Sequence, residues 1–190
     1  MDGSSGYEAI SVQFLKHRSR SIGVREVREW ARTLPRGSSV IDVGCGMGVP
    51  ITAVLLEEKL NVFGIEASPS LADAFTRNLP GTPILCEAVQ TSNLFDRPFD
   101  AVLAVGLMFL LEAEDQRRLI QRFAEILVPG GRLLFTAPAE AVVWQDSMTG
   151  LQSISLGAET YRTLLGAVGI RVKSEYEDEG QNYYFDACRD

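Results

Sequence analysis

The stretch from Val40 to Pro50 constrains the fold more than any other part of the sequence. A β-branched apolar run ends in an acid, and glycines then occupy positions 44, 46 and 48 before a segment with helical spacing begins. Glycine lets the backbone turn sharply and admits a ligand close to the main chain, and free N–H groups at a helix start favour electron-rich ligand atoms. The stretch therefore predicts a strand, a tight turn and a helix that together hold a cofactor.

The spacing of the glycines separates the cofactor classes. A dinucleotide fingerprint needs its third glycine at position 49, where Val49 stands. The run Asp-Val-Gly-Cys-Gly-Met-Gly at 42–48 instead resembles the first motif of class I S-adenosylmethionine (SAM) dependent methyltransferases, acid-x-Gly-x-Gly-x-Gly. The resemblance extends from Ser39 to Cys188 and implies SAM as cofactor and S-adenosylhomocysteine as product. A nicotinamide-dependent oxidoreductase is a weak alternative, because the sequence also lacks a Tyr-x-x-x-Lys pair.

The order of the apolar segments predicts an α/β fold with two helices, five strands each followed by a helix, and a closing hairpin. The five strands are expected at Ser39–Val43, Asn61–Glu66, Thr82–Cys86, Phe99–Gly106 and Arg132–Thr136. Right-handed crossovers place these five strands in one parallel sheet. The hairpin of 170–176 and 182–188 adds an antiparallel strand, which gives a Rossmann-like, doubly wound, seven-stranded sheet.

A chain of 190 residues suits a single domain. We expect residues 1–36 to form an N-terminal helical cap, 39–137 the cofactor-binding core, and 158–190 a C-terminal helix and hairpin. Residues 138–157 lack a clear period and are predicted to be a substrate or lid insertion. Residues 1–6 are small and polar and are left out of the fold prediction as a flexible start or an expression remnant. We expect the cap and the insertion to act together as a lid.

The composition of the chain limits its expected binding partners and its expected location in the cell. The chain has no apolar run long enough to span a bilayer and no basic-then-apolar start, which predicts a cytoplasmic protein without a membrane partner. Three widely spaced cysteines predict neither disulfides nor a metal site. A net charge of −7 argues against nucleic acid, although basic residues cluster in 16–36. That cluster is expected to be a solvated helix face, or else a surface that meets an anionic substrate.

The resemblance implies roles for individual residues. The glycine turn would approach the amino acid part of the cofactor, and Asp42 would orient its ammonium group. Glu66, at the end of the second strand, would accept from the ribose hydroxyls. Glu87 and Ala88 would hold the adenine. The cofactor-binding residues predicted in this way are Asp42, Gly44, Cys45, Gly46, Gly48, Glu66, Ala67, Glu87, Ala88 and Val105.

Candidates for a general base are few. His17 is the only histidine, although its arginine-rich surroundings favour a surface position, and Asp146 lies in the irregular segment after strand five. Cys45 could be a nucleophile only with a base nearby, so a small residue in a tight turn is the favoured interpretation. Predicted substrate contacts are Tyr7, Leu107, Met108 and Trp144, and for Trp144 core packing is an equal alternative.

The sequence favours a small-molecule acceptor. We expect no large extra domain, and Gly106-Leu107-Met108-Phe109 replaces the Asn-Pro-Pro-Tyr type motif of amino-methylating nucleic-acid enzymes. The apolar run 107–111 predicts a partly hydrophobic acceptor. The protein is expected to be a monomer or homodimer. Alternatives are a methyltransferase acting on RNA or protein through residues 16–36, and a non-catalytic SAM-binding interaction module.

Overall fold

Helices and strands alternate along most of the chain in the computed structural model, which describes residues 3–190. The helices are α1 (Ser11–His17), α2 (Val24–Ala31), α3 (Ile51–Glu57), α4 (Pro69–Asn78), α5 (Ala113–Ile126) and α6 (Ala158–Ala167). The strands are β1 (Ser39–Val43), β2 (Asn61–Glu66), β3 (Ile84–Cys86), β4 (Phe99–Ala104), β5 (Leu127–Thr136), β6 (Ala141–Gln145), β7 (Gln152–Leu156), β8 (Ile170–Glu177) and β9 (Tyr183–Arg189).

Seven of these strands form one sheet in the order β3-β2-β1-β4-β5-β9-β8. Strands β1 to β5 pair in parallel, whereas β9 is antiparallel to both of its neighbours, β5 and β8. The strand order reverses between β1 and β4, and ligands of open α/β sheets bind at the carboxyl ends of the strands beside such a reversal. The predicted fold class is confirmed.

Successive residues of the central strands supply two cores, one on each face of the sheet. Val40 packs with Trp30 and Leu55 from α2 and α3. Its neighbour Ile41 packs with Phe123 of α5, in a second cluster that also contains Tyr161 of α6. Side chains alternate across a strand, so a strand with helices on both faces must be apolar at nearly every position. This requirement explains the unbroken apolar runs from which β1 and β4 were predicted.

Two connections differ from the prediction. The link between β3 and β4 contains only a short 3₁₀ turn, Leu94–Asp96, where a helix was expected. The guanidinium of Arg122 donates to the main-chain oxygens of Val89 and Ser92 and holds this link against α5. Residues 138–157 are not irregular, because they form the antiparallel pair β6–β7. That pair lies outside the main sheet and leaves Val142 and Val143 of β6 exposed, so the burial of β6 does not alternate, whereas that of β7 does.

The N-terminal region is closely packed from residue 3 onward. Helix α1 begins at Ser11, later than the predicted start near Tyr7, and residues 3–10 form turns. A Cβ at Gly3 would lie 2.6 Å from the Cβ of Ala88, so the chain passes close to the end of β3 here. Leaving residues 3–6 out of the fold was therefore wrong, whereas residues 1 and 2 lie outside the described part. Among residues 3–190, no helix has both the length and the apolar character that crossing a membrane requires.

Candidate functional site

A cavity of about 220 Å³ lies at the carboxyl ends of β1 to β4. Its floor is made by the turn after β1, by the end of β2, and by the residues that follow β3 and β4. The cavity lining includes nine of the predicted site residues: Gly44, Cys45, Gly46, Glu66, Ala67, Glu87, Val105, Tyr7 and Leu107. Seven others are not part of the lining: Asp42, Gly48, Ala88, Met108, Trp144, Asp146 and His17.

The glycine turn presents main chain to the cavity. Gly44 and Gly46 have φ angles of 74° and 56°, in the left-handed region that non-glycine residues rarely adopt. The N–H groups of Gly44 and Cys45 donate to the carbonyl oxygen of Ile65 over 2.8 and 3.0 Å, which fixes the turn against β2. A Cβ on Gly46 would face the ring of Phe14 at 3.5 Å. The turn therefore leaves open a strip of backbone between β1 and the N-terminal region.

Glu66 joins this turn to the next helix. Its side chain is only 7% exposed, and its two oxygens accept from the N–H groups of Gly46 and Ser68, each over 2.8 Å. Burial raises the pKa of the Glu66 carboxyl, and these backbone hydrogen bonds partly offset the shift. Ser68 also caps α4, because its Oγ accepts from the N–H of Leu71. One buried carboxylate thus organises the centre of the cavity floor.

Asp42 and Gly48 lie beneath the turn rather than in the lining. The Asp42 carboxylate is 2% exposed and accepts from Thr52 Oγ1 over 2.6 Å. Burial raises the pKa of Asp42 to about 6. At Gly48, whose φ is 76°, a Cβ would lie 2.6 Å from Leu79 and 2.8 Å from Phe75 of α4. The structure therefore gives Gly48 a packing role, and its contact with the cofactor stays a prediction.

The burial of Cys45 bears on its suggested chemistry. Burial, followed by the charges of Asp42 and Glu66, raises the pKa of the thiol well above its usual range. A thiolate is the nucleophilic form of cysteine, so this environment disfavours attack by sulfur. The Sγ atom is also the nearest neighbour of a Cβ placed on Gly64 of β2, at 2.9 Å. Cys45 therefore fills a tight space between the turn and the sheet.

The upper half of the cavity is largely apolar. Leu107, Phe109 and Leu110 follow β4, and Tyr7, Phe14 and Met148 come from the N-terminal region and from the β6–β7 turn. The pKa of Tyr7 rises to about 12, chiefly through burial and then through the charge of Asp146, so the phenol stays protonated at neutral pH. This half resembles an acceptor pocket, with many apolar walls and few polar groups.

Four of the residues predicted for substrate contact or catalysis have other positions. Met108 is fully buried in the core below the cavity. Trp144 packs against Phe109 with ring centroids 5.6 Å apart, behind the cavity wall. Asp146 Oδ1 accepts from the N–H groups of Met148 and Thr149 and so closes the β6–β7 turn. His17 is exposed at the end of α1.

Residues 3–18, which we call the N-terminal strap, cross the cavity. Ser5 Oγ donates to the carbonyl oxygen of Leu110 over 3.2 Å. The Glu8 carboxylate accepts from the N–H and Oγ of Ser70 over 3.0 and 2.7 Å, and from Ser68 Oγ. Phe14 packs edge-on against Tyr7 with centroids 5.4 Å apart, and Arg18 also lines the cavity. The strap is thus attached to the turns after β2 and β4.

Sequence reasoning missed several lining residues or assigned them elsewhere. Phe14 falls within the predicted N-terminal helical cap, and Arg18 within the basic cluster of residues 16–36. Phe109 and Leu110 belong to the apolar run that predicts a hydrophobic acceptor. The other missed positions include residues 3–5, Met148 and Asn182. Contacts made by turns and strand ends far apart in sequence carry no local pattern, so nothing in their neighbourhoods could have indicated them.

The sheet order, the glycine turn after β1 and the acid that ends β2 define a Rossmann-like protein of the class I methyltransferase type. Comparison with known proteins agrees with this class. Residues 40–131 match the family model described as a methyltransferase domain. Residues 40–131 thus match a methyltransferase domain, and solved structures of the same fold contain bound SAM.

Individual relatives are distant. The human "Probable tRNA methyltransferase 9B" is 29% identical over an alignment of 113 residues that covers 57% of this chain and 23% of that protein. "Aklanonic acid methyltransferase DauC" of Streptomyces sp. strain C5 is 28% identical over 143 residues, or 71% of this chain and 61% of the relative. This chain therefore spans about a quarter of the first of these relatives.

Among solved structures, the Burkholderia thailandensis 1,6-didemethyltoxoflavin-N1-methyltransferase, crystallised with bound 1,6-didemethyltoxoflavin and S-adenosylhomocysteine, superposes with a TM-score of 0.73. It is 16% identical, and the alignment covers 96% of this chain and 83% of the other. At this identity the likeness establishes a shared fold.

Proposed function

We propose that this protein transfers the methyl group of SAM to a nucleophilic atom of a small molecule by in-line displacement. One observation carries the proposal. The cavity beside the strand reversal between β1 and β4 is lined both by the backbone of the glycine turn and by the buried carboxylate of Glu66. An open backbone beside a buried acceptor suits a ligand that combines a polar chain with a diol. The residues present therefore fit the cofactor of the family.

Cofactor binding would divide between the two ends of the floor. Gly44 and Gly46 would hold the aminoacyl part against bare backbone, with Asp42 below them as a buried counter-charge. Glu66, followed by Ala67, would accept from the ribose hydroxyls, and Glu87 with Ala88 would border the adenine. When bound, the cofactor supplies an electrophilic methyl group on a sulfonium sulfur.

The remaining task of the chain is to position the acceptor and to exclude water. Leu107, Phe109, Tyr7 and Phe14 form the walls that would orient an apolar acceptor next to the floor. Orientation of this kind supplies about 7 to 11 kcal/mol in favourable cases. Asp146 and His17 lie outside the lining, and Tyr7 holds its proton at neutral pH. We therefore propose that the acceptor loses its proton without a dedicated general base.

The arginines of the basic cluster in residues 16–36 favour a small acceptor over RNA or protein, because two of them are paired with carboxylates of α3 and its C-terminal end. Arg28 pairs with Glu57 and Glu58 at the end of α3, at 2.7 and 2.8 Å, and Arg32 pairs with Glu58 at 3.2 Å. Arginines already paired with carboxylates make a weak phosphate-binding surface. The apolar upper half of the cavity also favours a small acceptor. Residence in the cytoplasm is part of the same proposal.

Calorimetric titration with SAM, S-adenosylhomocysteine and NADH tests the cofactor assignment. We expect the first two to bind and NADH to give no heat of binding. A panel of small phenols, amines and carboxylic acids, offered with methyl-labelled SAM, would then identify the acceptor class. Tight binding of NADH alone would contradict the proposal. Labelling of RNA or protein fractions with no transfer to small molecules would contradict the acceptor class.

A further inference from the structure

Asn182 gives the cavity a polar group from the C-terminal hairpin. Among the described residues of the lining, it is the only one that follows β8 in the chain. Asn182 stands directly before β9, and its neighbour Tyr183 accepts at its carbonyl oxygen from the N–H of Ala137, which follows β5, over 3.1 Å. Since β9 pairs with β5 on the side away from β4, Asn182 lies beyond the end of β5.

The orientation of the Asn182 amide is set by Asp178. The Nδ2 atom of Asn182 donates to Oδ1 and Oδ2 of Asp178 over 3.1 and 2.8 Å. An ionised carboxylate only accepts hydrogen bonds, so the amide nitrogen, and not the amide oxygen, must face it. No group within residues 3–190 donates to Asn182 Oδ1. The side chain therefore offers a hydrogen-bond acceptor that is fixed in place and unused by the fold.

Asp178 is committed to this arrangement. It is 7% exposed, and its Oδ1 also accepts from the N–H groups of Gly180 and Asn182 over 2.8 and 2.9 Å. Its Oδ2 accepts from the buried hydroxyl of Tyr184 over 3.0 Å. Together with the amide of Asn182, these donors fill the acceptor sites of the carboxylate. Asp178 is thus a positioning residue, and Asn182 is the member of the pair that a ligand can reach.

We propose that Asn182 determines substrate specificity, its Oδ1 accepting a hydrogen bond from an N–H or O–H group of the methyl acceptor. This inference rests on the proposed function and narrows its substrate class to apolar molecules that carry a hydrogen-bond donor. The residues assigned to the cofactor end or follow β1 to β4, whereas Asn182 lies beyond β5. A ligand that reaches Asn182 from β4 is therefore the acceptor. An acceptor without a donor would bury this oxygen unpaired, which is unfavourable.

Binding to the protein loaded with S-adenosylhomocysteine tests the inference without requiring turnover. The probes are two matched pairs, indole against benzofuran and para-ethylphenol against para-ethyltoluene, and in each pair only the first compound carries a donor. Asn182→Leu keeps the approximate size of the side chain and removes the amide. We expect it to lower the affinity ratio within each pair by about 3- to 10-fold, the strength of one hydrogen bond.

The matched control is Asn61→Leu. Asn61 begins β2 and so lies at the edge of the sheet opposite the cavity, where its replacement should leave both affinity ratios unchanged. S-adenosylhomocysteine should bind to Asn182→Leu and to the control as it does to the wild type, because neither side chain is assigned to the cofactor.

Asp178→Asn tests the positioning role. The new amide can donate as well as accept, so the Asn182 side chain is free to turn and to present its nitrogen to the cavity. We expect this variant to lower the same affinity ratios, again with S-adenosylhomocysteine bound as in the wild type. A purely structural role of Asp178 would not change the ratio between two compounds that differ only in a donor.

Unchanged ratios in Asn182→Leu would overturn the inference, as would the failure of both donor-bearing probes to bind the loaded wild type. A loss of affinity for S-adenosylhomocysteine in Asn182→Leu would overturn it in favour of a cofactor contact. Failure of the wild type to bind either SAM or S-adenosylhomocysteine would instead overturn the proposed function itself.

Discussion

At the scale of single residues, Glu66 must serve both the fold and the cavity with one buried carboxylate. Its carboxylate is buried and already accepts two backbone N–H groups, yet it still faces the cavity. A carboxylate has more acceptor sites than two donors fill, so a diol can be added without displacing either backbone contact. The same residue therefore shapes the cavity and is available to the ligand.

The substitution Glu66→Gln tests this double role. The amide keeps one acceptor oxygen and removes the charge, so hydrogen bonds to ribose hydroxyls become weaker. We expect the affinity for S-adenosylhomocysteine to fall about 10- to 100-fold, as measured by calorimetry. Glu159→Gln, on an exposed position of α6, should bind as the wild type does. Equal affinities in all three proteins would contradict the ribose assignment.

Gly48 gives a contrasting prediction, because its importance lies in packing. Gly48→Ala would place a Cβ 2.6 Å from Leu79 and add strain at a φ of 76°. Overpacking and left-handed strain each cost about 1–3 kcal/mol, and we expect a loss of that order or more in urea unfolding. Gly37→Ala is the matched control, since Gly37 has a φ of 83° and open space around its Cβ position. Similar losses in the two variants would show that strain alone matters.

The chemistry of single residues was predictable where a strand end fixes the position. Glu66 follows an apolar strand, and the carboxyl ends of parallel strands meet at one edge, so its place in the cavity follows from local sequence. Arg18 has no such anchor. It stands among other basic residues, and only the path of the strap brings it, rather than Lys16 or Arg20, to the cavity. Side chains placed by tertiary packing of a turn cannot be separated by sequence alone.

At the scale of elements, the strap is held by a carboxylate that titrates. Hydrogen bonds from Ser68 and Ser70 lower the pKa of Glu8 below its ordinary 4.5. A lowered pKa means that the bound strap favours the ionised form, so the attachment is complete above pH 4.5 and is lost as pH falls through the lowered value. We expect the amide resonance of Ser70 to shift in that acidic range. Glu8→Gln should abolish the shift, and an identical titration in that variant would contradict the attachment.

The strap and the β6–β7 hairpin meet over the cavity and should respond together to the cofactor. A Cβ at Gly6 would lie 2.9 Å from the side chain of Leu151, which shows how closely the two segments approach. We expect S-adenosylhomocysteine to slow amide exchange in residues 4–18 and 141–156 by more than it does in β8, which lies far from the cavity. Equal protection with and without the ligand would contradict the prediction that these segments form a lid.

Elements were predictable in proportion to their burial in the sheet. Strands β1, β2 and β4 carry apolar runs because both faces are covered, and their predicted limits differ little from those observed. Strand β6 has three exposed residues in a row, because it pairs only with β7 and stands apart from the core. Its sequence therefore lacks the period that marks a half-buried strand. The turn at Asp146, which ends β6, is built from local hydrogen bonds and not from a pattern.

At the scale of the whole molecule, the buried acid under the glycine turn lowers the stability of the folded protein at neutral pH. Asp42 sits between the two cores at the end of β1, and burial raises its pKa to about 6 from an ordinary 3.8. Between these values the folded protein holds a proton that the unfolded chain has released. The free energy of unfolding must therefore fall as pH rises through this interval, and the loss is complete above pH 6.

The variant Asp42→Asn isolates this contribution. Its amide oxygen can still accept from Thr52 Oγ1, but it cannot ionise. From the pKa difference, the wild type should lose on the order of 2–3 kcal/mol between pH 4 and pH 7, and this part of the slope should be absent in the variant. Urea unfolding across that interval measures both profiles. The variant should be the more stable protein at neutral pH, because the wild type alone must then keep a buried charge. If stability depends on pH in the same way in both proteins, the charge of Asp42 is stabilised by its surroundings in the folded protein. The pH dependence of stability would then have to come from another buried acid, such as Glu66.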